Sequence, residues 1–451
     1  MKTDAMDQPA IKLFKHRDYF YVYDAYANNV FRITSRHYKE LHILLETGFS
    51  KYRAENRIDR EYKDILALYN KGIFKCDFVK TIKHPESKYV QFLLERHIND
   101  ISLQVTRECN FNCRYCLYTN EHGLERRHES INMSWEIAKK SVDYLYAHSS
   151  DARKIGVSFY GGEPLINFQL IKRVVGYCKS LFYTKRVEYR MTTNASLFTD
   201  EIIDYIVSNN FNIAISLDGD EKTHDNHRRF AVNGRGTFAT IIKVVEKIRN
   251  KAPEYFKNYV SFISVAFDDE CREDIMSFFN SIGISSENVL IEDAELGGID
   301  YIPNINGYLN ISESNDLLFR QIYENKEKIP SEWHHNGPCI PAVKRLFVDT
   351  YGILYPCEKI VEHNCLSIGN VDSGVNISKV VDFMNIGKLT EKECKKCWAM
   401  RFCDICIASC NDISAGCITA KQKMQACHYL KSKTLTKIKR YIDEISGVEK
   451  C

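Results

Sequence analysis

The chain has 451 residues, of which 44% are hydrophobic and 27% are charged, and its formal net charge is +3. This length predicts two or three domains. Because positive and negative charges nearly balance, the protein lacks the strong net electrostatic field that is typical of nucleic-acid-binding and membrane-surface proteins. No apolar run approaches the roughly 18 residues of a membrane span, and the polar N-terminus carries no secretory signal. We therefore expect a cytoplasmic protein with neither nucleic-acid nor membrane partners, in which the 17 cysteines favour metal or cluster sites over disulfides.

Residues 1–86 predict a small module of strands followed by helices. Two apolar runs, Tyr19–Tyr23 and Val30–Ile33, flank an Asn-Asn turn and predict a β-hairpin. Helical patterns follow at Ser35–Glu46 and Arg60–Asn70. This order resembles the winged-helix-like domains that recognise leader segments of ribosomally made peptides by adding a strand to a sheet edge. A plain structural cap is the alternative, and Ser87–Ile98 is expected to be a linker.

Strand and helix patterns alternate six times between residues 98 and 300. The predicted strands are Ser102–Thr106, Gly156–Tyr160, Val187–Thr192, Asn212–Leu217, Tyr259–Phe267 and Val289–Glu292. The predicted helices are Ser134–His148, Phe168–Phe182, Thr199–Asn209, Thr237–Asn250 and Glu270–Ile282. Such βα units imply an α/β fold with a parallel sheet and right-handed crossovers. Because six strands cannot close the usual eight-stranded barrel, we expect a partial (β/α)6 barrel of the TIM type, with its chemistry at the carboxyl ends of the strands.

A three-cysteine motif follows the first of these strands. Cys109, Cys113 and Cys116 are separated by three and then two residues, and three thiolates can hold three irons of a [4Fe–4S] cluster while the fourth stays open to a small molecule. A zinc knuckle is the alternative, but zinc prefers four ligands, and no fourth Cys or His stands at matching spacing. With Tyr115 before the last cysteine, the motif resembles the signature of radical S-adenosylmethionine (SAM) enzymes. The resemblance implies that the open iron binds the amino and carboxylate groups of SAM.

Glycine-rich and polar segments follow the next three strands. Any one of them is typical of a turn, but a partial barrel places all of them around one mouth. The resemblance implies that the segment ending at Glu163 binds the SAM amino group and that Arg228 pairs with the SAM carboxylate. The candidate cofactor-binding residues are Tyr115, Gly161, Gly162, Glu163, Thr193, Asn194, Ser216, Asp218 and Arg228.

The C-terminal part is rich in cysteine. Residues 301–335 form a bridge without a clear pattern, residues 336–430 contain ten cysteines, and residues 431–451 are expected to be a C-terminal helix. Strand patterns at Leu346–Asp349 and Ile353–Tyr355 predict a hairpin that ends at Cys357 and Glu358. The whole region resembles the SPASM extension of peptide-modifying radical SAM enzymes, which holds auxiliary iron–sulfur clusters.

The SPASM resemblance implies two ligand sets. One auxiliary cluster is assigned to Cys394, Cys397, Cys403 and Cys427. The other, near the barrel mouth, is assigned to Cys339, Cys357 and either Cys406 or Cys410, because the family spacing of three residues after Cys403 is not met. Cys365, Cys406 and Cys417 are open as its fourth ligand, unless an open iron binds a substrate thiolate. One or two structural zinc sites are the alternative.

Together the modules resemble radical SAM maturases that join a peptide Cys sulfur to a carbon atom, as in ranthipeptides and sactipeptides. The resemblance implies an oxidoreductase that generates a 5′-deoxyadenosyl radical and carries three [4Fe–4S] clusters, one SAM-binding and two auxiliary. It also implies a Cys-containing precursor peptide with a leader and an electron donor such as flavodoxin or ferredoxin. Two rival functions stay open. One is an anaerobic sulfatase maturase, a family that lacks the N-terminal module and uses an Asp as a base where this chain has Glu358. The other is a maturase that forms C–C crosslinks in peptides. Glu358 is accordingly the candidate catalytic base.

Overall fold

A computed structural model describes residues 7–76, 79–116, 128–267, 269–293, 331–333, 340–360, 362–412, 415 and 417–445. At the N-terminus, β1 (Ile11–His16), β2 (Tyr19–Asp24) and β3 (Asn29–Ile33) form an antiparallel sheet in that order. Helices α1 (Ser35–Thr47), α2 (Phe49–Ala54) and α3 (Arg60–Asn70) follow. The predicted hairpin is β2 and β3, and β1 adds a third strand in full register with β2.

Both faces of this small sheet are covered. Because side chains alternate along a strand, Leu13 and Val22 pack against α1–α3, while Phe14 and Tyr23 pack on the opposite side against Ile438 of the C-terminal helix. The sheet therefore keeps only its two edges for further pairing within the described residues.

The segment expected to be a linker is helical, so that prediction is wrong. After the short strand β4 (Thr81–Ile82) and a 3₁₀ turn, α4 runs from Val90 to Arg96. Val90, Leu94 and Ile98 are buried in the core of the next domain. Their spacing of four residues is one helical face, and the burial of that face stabilises the helix.

The six predicted strands form one parallel sheet, and this α/β fold is confirmed. They are β5 (Asp100–Thr106), β6 (Lys154–Gly161), β7 (Arg186–Thr193), β8 (Asn212–Ser216), β9 (Val260–Ala266) and β10 (Val289–Asp293), in that spatial order. The helices are α5 (Trp135–Ala147), α6 (Phe168–Leu181), α7 (Asp200–Ser208), α8 (Glu221–His227), α9 (Phe238–Lys251), α10 (Pro253–Tyr259) and α11 (Asp269–Ser281). Alternate strand residues such as Ile101, Leu103 and Val105 are fully buried in the largest core.

The cysteine-rich region continues this sheet. Its strands are β11 (Glu332–Trp333), β12 (Leu346–Val348), β13 (Ile353–Tyr355), β14 (Gly369–Asn370), β15 (Gly374–Val375), β16 (Asn411–Asp412) and β17 (Cys417–Ile418). Its helices are α12 (Ile377–Met384), α13 (Glu391–Lys395) and α14 (Ala420–Ile445). β12 pairs parallel with β5, and β13 returns antiparallel beside it, so the predicted hairpin extends the partial barrel. The C-terminal helix expected from residue 431 begins earlier, at Ala420.

Most of the bridge at 301–335 and Cys339 lie outside the described residues. Among the described helices, none combines the length and the apolar character that crossing a bilayer requires.

Candidate functional site

The three-cysteine motif lies where β5 ends. Between Gln104 and Thr106 the pairing of β5 with β6 shifts register, an irregularity that often turns a strand end toward a functional site. Cys113 is buried, and Cys109 Sγ accepts a hydrogen bond from the Phe111 amide at 3.4 Å. Burial raises the pKa of the Cys113 thiol to about 12. Thiols of this kind become thiolates when they bind a cation.

Two glycines let the loop after β6 approach the motif. Gly161 has φ of 148°, and a Cβ there would lie 2.1 Å from the Thr106 carbonyl oxygen. A Cβ on Gly162 would lie 2.2 Å from the Glu108 carbonyl oxygen and 2.9 Å from Cys109 Cβ. Only glycine fits either position, so the backbone of the two loops is in direct contact at the cysteines.

Glu163 is a buried carboxylate that ties the strand ends together. Its Oε1 accepts hydrogen bonds from Thr193 Oγ1 at 2.7 Å and from the Leu165 amide at 3.1 Å, and its Oε2 accepts one from the Asn194 amide at 2.7 Å. Asn194 Nδ2 in turn donates to Asn110 Oδ1 at 2.8 Å. Burial raises the pKa of Glu163 to about 7, although the hydrogen bonds oppose the shift. Four predicted residues, Glu163, Thr193, Asn194 and Cys109, therefore meet at one place.

Tyr115, Asp218 and Arg228 form a second buried group beside the motif. Arg228 donates two hydrogen bonds to the Asp218 carboxylate, at 2.8 and 3.1 Å, and its guanidinium lies over the Tyr115 ring. The Tyr115 hydroxyl donates to Asp218 Oδ2 at 2.6 Å. Burial alone would raise the pKa of Asp218, but the Arg228 guanidinium lowers it below its usual value. Arg228 is thus already paired within the protein, and a role toward the SAM carboxylate stays a prediction.

The loop that carries Arg228 is held by a buried histidine. His224 accepts the Asp218 amide hydrogen at Nδ1, 3.1 Å away, and its Nε2 contacts Thr237 Oγ1 at 2.9 Å. Thr237 Oγ1 also donates to the Arg228 carbonyl oxygen at 3.1 Å. Ser216, the last residue of β8, is half-buried two positions before Asp218.

Cys357 and Glu358 follow the second strand of the hairpin. β13 runs antiparallel to β12 and so leads toward the amino end of β5, but the chain then turns back, because Glu362 accepts hydrogen bonds from Gln104 and Arg107 near the carboxyl end of β5. Glu358 Oε1 accepts a hydrogen bond from Arg345 at 2.5 Å, while its buried Oε2 has no hydrogen-bond partner among the described residues. The role of Glu358 as a base stays a prediction.

Four cysteines of the C-terminal region surround one cavity. Cys394 lies on α13, Cys397 and Cys403 follow it, and Cys427 projects from α14, and all four line the same space. This is the ligand set that the sequence predicts for one auxiliary cluster. Burial raises the pKa of the Cys397 thiol to about 11, so these thiols, too, need a cation to ionise.

The remaining cysteines are less sharply grouped. Cys410 is fully buried, and Cys406 is only half-buried; burial raises the pKa of the Cys410 thiol to about 12. The thiols of Cys365 and Cys417 are hydrogen-bonded to each other.

Three groups near the cysteines were not anticipated from the sequence. Lys423 Nζ lies 3.3 Å from Cys394 Sγ, and His128 Nε2 lies 3.8 Å from Cys116 Sγ. Glu362 accepts hydrogen bonds from Gln104 at 2.7 Å and from Arg107 at 3.1 Å inside the sheet. Of these three, only Lys423 could have been found from the sequence. It stands four residues before Cys427, and this spacing puts both side chains on one face of a helix.

The donor set fits iron–sulfur chemistry. A loop with three thiols beside two glycine-enforced backbone contacts can hold three irons of a [4Fe–4S] cluster. In such a cluster each iron takes its own thiolate, and in the described parts of the chain no three His, Cys, Asp or Glu side chains lie close enough to share a single metal ion.

The Radical SAM superfamily model matches residues 103–282, from β5 to α11. An uncharacterised protein of Methanocaldococcus jannaschii is 27% identical over 66% of this chain and 94% of its own length. The radical SAM cyclopropyl synthase TigE of Paramaledivibacter caminithermalis is 24% identical over 69% of this chain and 64% of its own. A serine-type anaerobic sulfatase-maturating enzyme of Bacteroides thetaiotaomicron is 25% identical over 39% of this chain and 41% of its own. The chain thus spans less than two thirds of the last two relatives.

Among solved structures, native anSMEcpe with bound AdoMet matches with a TM-score of 0.54 at 18% identity, over 75% of this chain and 98% of that one. The same protein has been solved with AdoMet and the Cp18Cys peptide. At this identity the match shows the shared fold. The superfamily implies SAM and a [4Fe–4S] cluster. The Radical SAM superfamily model thus covers residues 103–282, and the chain is similar to anaerobic sulfatase-maturating enzymes and to a radical SAM cyclopropyl synthase.

Proposed function

We propose that this radical SAM enzyme matures a ribosomally made peptide by joining a Cys sulfur to a carbon of another residue. The observation that carries the proposal is the cavity ringed by Cys394, Cys397, Cys403 and Cys427, apart from the three-cysteine motif. A second iron–sulfur site of this kind supplies the electron acceptor that an oxidative coupling needs.

The residues around the first motif would hold SAM and its cluster. Cys109, Cys113 and Cys116 would ligate three irons, and Glu163, fixed by Thr193 and Asn194, would accept a hydrogen bond from the amino group of SAM. When bound, SAM and the reduced cluster supply a carbon radical that removes a hydrogen atom from an unactivated C–H bond. The protein groups orient the cofactor and exclude water.

The second auxiliary cluster would use Cys339 and Cys357. Of the two further candidates we favour Cys410 over Cys406, because a fully buried thiol is better placed for a water-excluded cluster. Cys365 and Cys417, whose thiols are already in contact, are the candidates for the fourth position.

Recognition of the peptide would fall to the N-terminal module. Its sheet is packed on both faces, so a leader can be added as a strand only at an edge. The half-exposed edge strand β3 fits this role. The bound Cys-containing peptide in anSMEcpe supports a peptide substrate in general, and a flavodoxin or ferredoxin would supply the reducing electron.

The overall reaction balances as a two-electron oxidation. One C–H and one S–H bond break and one C–S bond forms. One hydrogen atom leaves in 5′-deoxyadenosine, the thiol hydrogen leaves as a proton, and the remaining electron goes to an acceptor of the iron–sulfur class. Glu358, whose buried Oε2 has no hydrogen-bond partner among the described residues, is the proposed acceptor of the proton.

The test uses the anaerobically reconstituted enzyme with SAM, dithionite and the short Cys-containing peptide encoded beside its own reading frame. The expected product is lighter by two hydrogens, resists alkylation by iodoacetamide at one cysteine, and forms together with deoxyadenosine. Deoxyadenosine without a lighter peptide would contradict the proposal.

Two rival reactions are separated by the same sample. Sulfatase maturation, favoured by the sulfatase-maturating relatives, would yield an aldehyde that reacts with hydrazides. C–C crosslinking would also remove two hydrogens but leave every thiol open to iodoacetamide.

A further inference from the structure

A buried ammonium lies against the four-cysteine cavity. Lys423 on α14 is only 1% exposed. Its Nζ lies 3.3 Å from Cys394 Sγ and 4.0 Å from Cys427 Sγ, and it lines the cavity together with Cys397 and Cys403. The radical SAM chemistry proposed at β5 makes no use of this residue.

A threonine fixes the direction of this ammonium. Lys423 Nζ donates a hydrogen bond to Thr390 Oγ1 at 2.5 Å, and that hydroxyl lies 3.5 Å from Cys394 Sγ. Thr390 is itself buried. The long lysine side chain is therefore held in one position, with its N–H groups directed at a cysteine sulfur.

Among the described residues no carboxylate forms an ion pair with Lys423. An unpaired buried charge costs several kcal/mol. Neutral thiols do not offset that cost. Four thiolates on a [4Fe–4S] core carry a net negative charge, and an N–H···S bond places the ammonium directly on it.

We propose that Lys423 is the counter-cation and hydrogen-bond donor of an iron–sulfur cluster held by Cys394, Cys397, Cys403 and Cys427, and that it raises the reduction potential of that cluster. Reduction adds one electron and thus one negative charge to the cluster. A fixed ammonium stabilises this more negative state, since net charge and hydrogen bonds to sulfur set such potentials. The cluster becomes a better electron acceptor. Lys423 acts as a positioning residue, through the sulfur ligands.

The inference rests on the auxiliary cluster of the proposed function and not on thioether formation, so its test needs no peptide. The potential is measured by EPR-monitored redox titration in a background with Cys109, Cys113 and Cys116 changed to Ala, which removes the SAM-binding cluster. Lys423→Met should shift the reduction equilibrium of one cluster at least tenfold toward the oxidised state, or about 59 mV for one electron. Lys421→Met, the same change at an exposed site on the same helix, should leave it unchanged.

Further variants keep the proposal open to refutation. Lys423→Arg retains the charge and should keep a wild-type potential, and Lys423→Gln, neutral but still a donor, should give an intermediate value. If Lys423→Met and Lys423→Gln lose this cluster while Lys423→Arg keeps it, the requirement for charge is supported. Unchanged potentials in both neutral variants, equal shifts in Lys421→Met, loss of the cluster from Lys423→Arg, or wild-type protein without iron at this site would each overturn it.

Discussion

At the scale of single residues, the ionisation of Glu163 bears on the proposed binding of SAM. It is completely buried, yet it receives three hydrogen bonds. Burial raises its pKa to about 7. The ionised form is therefore disfavoured in the free protein below neutral pH, and an N–H donor of SAM at Oε2 would favour it.

We expect the affinity for SAM to depend on this ionisation. Below pH 7 Glu163 must lose a proton before its carboxylate can accept a hydrogen bond from the SAM amino group, so the affinity should rise about tenfold between pH 6 and pH 8. Anaerobic equilibrium dialysis with labelled SAM measures it. Glu163→Gln should bind SAM more weakly and without this dependence, and a flat profile in the wild type would contradict the assignment of Glu163.

Gly162 supports a second expectation at this scale. In Gly162→Ala the new Cβ meets the Glu108 carbonyl oxygen and Cys109 Cβ, both in the cysteine loop, so the loop must move. We expect reconstituted protein to hold about four fewer irons per chain, by iron analysis. Gly176→Ala is the matched control, because no atom lies within 4 Å of the added Cβ and Ala favours the helix by up to about 1 kcal/mol. Full iron content in Gly162→Ala would refute the close approach.

The sequence anticipated Glu163, Thr193 and Asn194 because each follows a strand whose periodicity is clear. The sequence could not show that Arg228 forms an ion pair with Asp218, because the two residues lie on different loops that meet only in the folded interior. Lys423 was missed for a related reason. A lysine on a helix normally extends into solvent, and only the tertiary packing around Thr390 makes this one a buried charge.

At the scale of elements, α14 connects two cores. Near its beginning, Cys427 and Leu430 line the cysteine cavity, and further along Ile438 and Ile442 pack against β1 and β2 of the N-terminal sheet. Arg401, between the two, donates to the carbonyl oxygens of Ala25 and Tyr26. The helix α14, together with Arg401, thus holds the N-terminal module against the cysteine-rich region.

We expect Ile438→Ala to weaken this docking. Ile438 is 0% exposed, and truncating such a side chain costs about 2–5 kcal/mol because a cavity is left. Unfolding by urea is monitored through hydrogen exchange at β1 and β2. We expect the midpoint urea concentration to fall. Ile445→Ala on the same helix, 66% exposed, should stay close to the wild type, and equal effects of the two changes would contradict the docking role.

The strands and helices of the barrel were predictable because each long element carries its own periodicity. Two features were not. The helix α4 was hidden by its short length, and only the burial of Val90, Leu94 and Ile98 reveals its packing face. The hairpin was predicted, but not its parallel pairing beside β5, which continues the barrel sheet.

At the scale of the whole molecule, the iron content distinguishes the proposed arrangement from its simpler alternatives. Three clusters correspond to about 12 irons per chain. We expect Cys394→Ala with Cys427→Ala to reduce this to about 8, measured by iron analysis after anaerobic reconstitution. Cys178→Ala, a buried cysteine in the α6 core, should leave the count unchanged. About four irons in the wild type, or zinc in their place, would contradict the auxiliary clusters.

The helix α14 also fixes a distance. From Cys427 at the cavity to Ile442 against the N-terminal sheet, 15 residues that rise about 1.5 Å each span about 23 Å. A peptide anchored at that sheet would therefore be held at a fixed distance from the cavity. The number of residues between its anchored segment and its reactive cysteine, rather than the local sequence around that cysteine, would then decide which side chain reaches the barrel.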